Sequence, residues 1–193
     1  NTHHVFYPYG EFQIATENDL KKAVKEYYKE YLLPNKVLLT KRPRINPERW
    51  WELTRHREWQ VETLPKLVST SFGDSGSFAW DESGEFVVVQ GWGWIPKNMP
   101  RSQSIYTKIS LAYLVILNSS LFSTLVSATS TQVAGGQWDL SKKFVNNIAI
   151  PNLFIEQINR ATISKLSEIG RKIHAGLPVD DEKVNELVSS LYR

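Results

Sequence analysis

The feature that most constrains this chain is an apolar run, Leu111 to Leu117, that halts at Asn118-Ser119-Ser120 and resumes at Leu121-Phe122. A membrane-spanning helix needs about 20 apolar residues, so this run has to be buried within protein. Asn and Ser offer side-chain oxygens to the free amides at a helix start. Two packed helices flanking the Asn118-Ser119 break are therefore expected, the texture changing from Thr107 onward.

At 193 residues the chain can bury one good core, or a domain with a helical appendage, without metals or disulfides. Hydrophobic content of 41% with 22% charge is that of a globular protein, which excludes disorder and collagen-like structure. No cysteine is present, which excludes disulfides and thiolate metal sites. With no secretory signal and no membrane span in view, a cytoplasmic location is expected, for a chain read as part of a longer protein. The net charge of +3 is unevenly placed. Residues 36–57 hold Lys36, Lys41, Arg42, Arg44, Arg49, Arg55 and Arg57 against Glu48 and Glu52, a local +5, so the remainder sums to −2. Such clustering suits a phosphate-binding face, because affinity grows with the number of cations that touch the backbone together.

Thr16 and Asp19 form a capping-box pattern, and Leu20, Val24, Tyr27, Tyr28, Tyr31 and Leu32 keep helical spacing, so a helix is expected from about Glu17 to Leu33. Pro34-Asn35 stops it. Val37 to Thr40 reads as a short buried strand, and Asn46-Pro47 as the start of a short helix carrying Trp50, Trp51 and Leu53, with one tryptophan packed inward. Leu67–Ser71, Ser77–Trp80 and Phe86–Gln90 read as strands, with Asp81-Glu82-Ser83-Gly84 as a hairpin turn between the last two. Beyond Pro151, Ile155, Ile158, Thr162, Leu166, Ile169 and Ile173 mark a long amphipathic helix ended by Gly176 and Pro178. Asp180 caps a last helix with Val184, Leu187, Val188 and Leu191 on one side. The expected class is α+β: a mixed domain over residues 1–152, strand-rich to 104 and helical with a Gly-Gly segment from 105, with a helical segment 153–193 packed on it.

Most apparent chemistry dissolves on inspection. Gly73-Asp74-Ser75-Gly76 matches the nucleophile tetrapeptide of trypsin-like proteases, but Ser77-Phe78 replaces the Gly-Pro that should follow, and His56 lies too close upstream. A polar turn between strands accounts for it. Gly91-Trp92-Gly93 follows an apolar segment, yet Pro96 occupies the third glycine position of a nucleotide-binding turn and no helix begins there. His3, His4, His56 and His174 have no ligand spacing, so no metal site is expected. Nor is there an Asp-x-Glu/Asp-x-Lys arrangement to hold a divalent ion for DNA cleavage.

In order along the chain stand Tyr7-Pro8-Tyr9, Tyr31-Leu32, Leu39-Thr40-Lys41-Arg42, Trp50-Trp51-Glu52-Leu53, Pro65-Lys66 and Asp81-x-x-Gly84. Leu117-Asn118-Ser119-Ser120-Leu121, Gly135-Gly136, Ser141-Lys142-Lys143-Phe144, Ile148-Ala149-Ile150-Pro151 and Lys183-Val184-Asn185-Glu186-Leu187-Val188 follow. This succession resembles the C-terminal specificity domain of TaqI-like adenine DNA methyltransferases and their fused restriction-modification relatives. The resemblance covers almost the whole chain in short, degenerate pieces. Apart from the Asp81-x-x-Gly84 turn it leaves Ser69–Arg101 unmatched, the stretch in which such domains differ in target. It implies a domain that binds double-stranded DNA beside a catalytic methyltransferase domain of the same parent protein. That domain would bind S-adenosylmethionine and carry the Asn-Pro-Pro-Tyr quartet that this chain lacks, so no catalytic residue and no cofactor are expected here.

Under that resemblance Lys41, Arg42, Arg44, Arg49, Arg55 and Arg57 are expected on phosphates, with Lys142 and Lys143 gripping further phosphates beyond the Gly-Gly loop. Ser71, Gln90, Trp92, Trp94, Lys97 and Arg101 are the candidates for reading bases, since Arg forks and Gln amides meet guanine and adenine edges bidentately. For Trp92 and Trp94 a core or hairpin aromatic pair is an equal reading. Two other roles fit the same residues: a target-recognition unit of a type I restriction specificity subunit, with the long helix as spacer, or a non-catalytic protein-interaction module docking through residues 180–192.

Overall fold

A computed structural model describes residues 6–9, 14–56, 63–74, 76–88, 90–97, 102–154 and 160–192. The chain divides into two compact units, residues 1–62 and 63–193. The class is α+β, with eight α-helices and five short strands among the described residues.

The first unit is helical. Helix α1 (Glu17–Ala23) opens on a reciprocal cap: the Thr16 hydroxyl accepts the Asp19 amide at 3.2 Å, and the Asp19 carboxylate accepts the Thr16 amide at 3.0 Å. The single helix expected to Leu33 is broken at Val24 (φ −136°, ψ 54°), which packs against the core. Helix α2 (Lys25–Tyr27) then runs into a π-helical turn, Tyr28–Leu32. The break and the wider turn together bring Leu20, Tyr28 and Leu32 to one buried face. Helix α3 (Lys36–Thr40) replaces the buried strand expected at Val37–Thr40. Helical hydrogen bonding carries on through the turn, Lys36 to Leu33 and Leu39 to Asn35, and no strand lies among the described residues of this unit to pair with. Only Leu39 turns inward; Val37 and Leu38 are 64% and 69% exposed. Asn46 caps a 3-10 turn, Pro47–Arg49, through its side-chain oxygen. Trp50 and Trp51 are both buried, edge to face at 5.9 Å, where one was expected.

The second unit packs helices on one face of a small sheet. Strand β1 (Lys66–Ser69) is central and pairs antiparallel with β3 (Phe78–Asp81) and β4 (Trp92–Trp94). Strand β2 (Phe72–Gly73) pairs antiparallel with β5 (Trp138–Asp139) in a separate ribbon. The strand expected at Phe86–Gln90 is not formed at any described position, and Asp81–Gly84 does not close a hairpin between paired strands. The Asp81 carboxylate is the reason: it draws in the amides of Gly84 at 2.8 Å and Phe86 at 3.3 Å, using the groups that a ladder would need. Opposite it the Lys66 ammonium donates to Asp81 at 2.6 Å and to the Gly84 carbonyl at 3.0 Å. Both side chains are almost fully buried. A buried lysine of this kind persists because its charge is paired and its protons have acceptors.

Helix α4 (Gln103–Leu117) is the core helix, starting earlier than Thr107 and buried on nearly all sides from Ile109 onward. Asn118 leaves it and clasps the edge of β3, donating to the Phe78 carbonyl and accepting the Phe78 amide, both at 3.0 Å. Ser119 caps α5 (Ser120–Thr129), so the break in the apolar run does form two helices. A short helix α6 (Lys142–Val145) follows β5. Helix α7 (Arg160–His174) packs along α4, with Gly170 against the Leu111 carbonyl where a Cβ has no room. It closes at Gly176 (φ +68°), the Leu177 amide reaching back to Lys172 and that of Gly176 to Ile173. Ile155 and Ile158, expected in this helix, lie outside the described residues. Asp180 caps α8 (Asp181–Ser189), whose Val184 and Val188 are buried. Among the described residues no single helix is long and apolar enough to cross a membrane.

Candidate nucleic-acid interface

In the first unit the basic segment separates into engaged and free cations. Arg42 is a staple: its guanidinium donates to the carbonyls of Leu39 at 2.9 Å, Trp50 at 2.6 Å and Glu52 at 2.8 Å. Arg49 pairs with Glu52 and reaches the Ile14 carbonyl at 3.5 Å. Lys36 pairs with Glu17 at 2.8 Å and lies 5.2 Å from the Trp50 ring centroid. Donation from Lys36 and from the Tyr28 hydroxyl holds the Glu17 carboxyl down at about 2, while burial chiefly pushes Tyr28 up to about 12. Lys41, Arg44 and Arg55 remain exposed, with no ion pair or hydrogen bond from their side chains among the described residues. Arg44 sits at φ +64°, in the left-handed region. Arg57 lies outside the described residues. Beside this segment Tyr9 stacks on His56 at 3.9 Å, and burial raises the Tyr9 phenol while its oxygen accepts the Leu53 amide.

In the second unit the strand register gathers part of the expected set. Trp92 lies opposite Ser69 at the C-terminal end of β1, so Gln90 and Gly91 enter the sheet where Thr70 and Ser71 leave it. The Ser71 carbonyl accepts the Leu140 amide at 3.0 Å, which fixes the start of α6 and its two lysines beside the same end. Gln90, Lys142 and Lys143 are exposed and Ser71 half-buried. Lys143 lies 4.9 Å from the centroid of the Phe144 ring, and neither lysine has an acidic partner among the described residues. Trp94 sits opposite Leu67, toward the other end of β1, and donates its indole N–H to Ser69 at 2.9 Å. Trp92 and Trp94 both pack against the core. Lys97 is exposed beyond Trp94, while Arg101 lies outside the described residues.

Alternation along the strands gives the sheet two faces. Leu67, Phe78 and Trp80 belong to the helix-covered core, whereas Ala79, next to them on β3, is exposed. Strand β3 ends beside Lys66 and β4 begins beside Ser69, so the two strands are joined from opposite ends of β1. The stretch Ser69–Arg101, which the motif succession matches only at Asp81-x-x-Gly84, thus has described residues at both ends of the sheet, where loops usually carry binding residues.

No reactive cluster accompanies these groups. Among the described residues no three His, Asp or Glu side chains could hold a metal ion. A cavity of about 580 Å³ is an open groove between α7 and α8, lined by Lys165, Glu168, Lys172, Lys183 and Glu186 and by none of the expected site residues. Sequence reading passed over one feature of the surface. Between Lys108 and Asp139 the chain carries no charged residue, although Ser120, Thr124, Ser127–Thr129, Thr131, Gln132, Ala134–Gly136 and Gln137 are all exposed. Charge spacing alone would have drawn attention to it.

No known family model matches the chain, and no curated protein does.

Proposed function

We propose that this chain is the DNA target-recognition part of an N6-adenine methyltransferase or of a fused restriction-modification enzyme acting in the cytoplasm. It holds the duplex while a catalytic domain outside the chain binds S-adenosylmethionine and flips the adenine. The observation that carries this reading is the meeting of Ser71 and Gln90, which can hydrogen-bond a base edge, with the unpaired Lys142 and Lys143 at one end of the sheet. Position and specificity need that division of labour: cations on phosphates fix register, and neutral donors and acceptors read sequence.

The resembling motif pieces also behave as one framework. Pro65-Lys66 meets Asp81 and Gly84 through the buried ion pair, and the Pro65 carbonyl accepts the Tyr106 hydroxyl at 2.5 Å. Asn118 clasps Phe78, Tyr113 donates to the Pro151 carbonyl at 2.9 Å, and Asn185 accepts the Ser120 amide at 3.1 Å. Their residue types are therefore explained by packing, and the recognition role falls to the loops between them.

Titration of a labelled mixed-sequence duplex tests the reading. The two free lysines at this end of the sheet, Lys142 and Lys143, predict roughly a tenfold loss of affinity between 50 and 200 mM salt. A salt-independent signal, or no binding at 50 mM, rejects it. A second reading, a protein-contact role for the first unit, is favoured by the exposed Tyr31, Leu33, Val37 and Leu38.

A further inference from the structure

The hairpin from Thr131 to Asp139 stands between α5 and the lysines of α6. The Asp139 amide binds the Thr131 carbonyl at 3.2 Å, the Val133 amide binds Gln137 at 2.8 Å, and Ser130 donates to the Asp139 carbonyl at 2.7 Å. Its outer strand continues into β5, which is paired with β2, so the ribbon is anchored at its base on two sides. At the tip Gly135 (φ +92°) and Gly136 (φ +81°) need glycine for their backbone angles, and nothing lies within 4 Å of where a Cβ of Gly135 would be. Residues 134–137, which form the tip, are all exposed.

Its chemistry is unusual for a solvated loop. About a quarter to a third of an ordinary protein surface is charged, yet no exposed position from Ser120 to Gln137 carries a charge. Two amides are offered instead. Gln132 donates to the Gly136 carbonyl at 3.1 Å and braces the tip, while the Gln137 side chain is exposed with no partner among the described residues. Asp139, at the base of the ribbon, is turned to the Ser141 amide at 2.7 Å, and the exposed Asp74 accepts weakly from Ser77 at 3.5 Å. Two free lysines begin three residues beyond the ribbon.

We propose that the uncharged tip of this hairpin, residues 132–137, enters the major groove of the duplex, with Gln137 presented to a base edge and Lys142 and Lys143 on the flanking phosphates. The inference rests on the DNA-recognition reading and deepens it by naming the element that enters. The major groove, about 12 Å wide, admits a two-stranded ribbon, and a glutamine amide matches the N6 and N7 groups of adenine. Acidic side chains at the inserted tip would meet phosphate repulsion, which accounts for their absence from residues 132–137, while Asp139 at the base is turned to the Ser141 amide.

The test uses the full chain and a mixed-sequence duplex at 50 mM salt, with fluorescence anisotropy as readout. Ala134→Glu, at an exposed position with ordinary backbone angles, is expected to weaken binding about tenfold by bringing a carboxylate among phosphates, while Ala134→Ser binds as the parent and all melt alike. In selection from a randomised duplex pool, Gln137→Ala is expected to lose about tenfold preference at one base pair. If both variants bind and select like the parent while Lys142→Glu/Lys143→Glu binds more weakly, the hairpin assignment is overturned and the DNA-recognition reading stands. If the parent chain binds no duplex, both fall together.

Discussion

The first unit engages three of its clustered cations internally and leaves Lys41, Arg44 and Arg55 without a partner among the described residues, whereas the second withdraws one lysine into its core and leaves two free at the end of a sheet. Over residues 36–57 the sequence is densely cationic, yet Lys36, Arg42 and Arg49 are joined to a carboxylate or to main-chain carbonyls of the same unit. In the second unit one lysine, Lys66, is withdrawn into the core on Asp81, while Lys142 and Lys143 stand free at the end of a rigid sheet. Charge density along a chain is therefore a poor measure of charge available to a partner. What matters is how many cations the fold leaves without an internal acceptor.

The sharpest way to break this contrast is Lys66→Met. It leaves the Asp81 carboxylate buried without its counter-charge and is expected to destabilise the second unit by about 3–5 kcal/mol. Denaturant unfolding followed by tryptophan fluorescence measures it; a change below about 1 kcal/mol would mean that the backbone amides alone sustain the carboxylate. Next in size is Arg42→Ala. Losing a charged donor to three carbonyls should cost about 2–3 kcal/mol of first-unit stability and leave the slope of DNA affinity against salt unchanged. A flattened slope with unaltered stability would place Arg42 on phosphate instead.

Lys142→Ala/Lys143→Ala is expected to do the reverse. Two phosphate contacts removed should lower the salt slope by about 2, with thermal melting unmoved because both side chains are exposed. The smallest effect is a pH dependence in the first unit. Glu17 is held at about 2 in the folded chain by Lys36 and Tyr28, below its ordinary 4.5. Its contribution is therefore complete above about 4.5 and is lost as pH falls toward 2, on the order of 1 kcal/mol after solvent screening. Glu17→Gln should remove that acid sensitivity, as unfolding curves at pH 6 and pH 3 would show.

Some of this architecture was legible in the residues. The capping pairs Thr16/Asp19 and Asp180, the two helices around Asn118-Ser119 and the stop at Gly176 depend on hydrogen bonds within a few positions, so local spacing determines them. The stretch Val37–Thr40 was misread because an apolar run of that length suits a strand or a helix equally, and only the absence of a pairing edge decides. Phe86–Gln90 was misread for a different reason: a buried carboxylate fifteen residues from its lysine took the backbone amides of the turn. No local pattern encodes that.

By itself, then, the sequence determined the α+β class and most helix termini, because each depends on neighbours close along the chain. Tertiary structure alone decided which cations were free, that Gln90 and Ser71 arrive beside Lys142, and that the Gly-Gly turn is the tip of a ribbon. Those outcomes depend on strand register and on acceptors supplied from far along the chain, where a shift of one residue would turn each side chain to the other face.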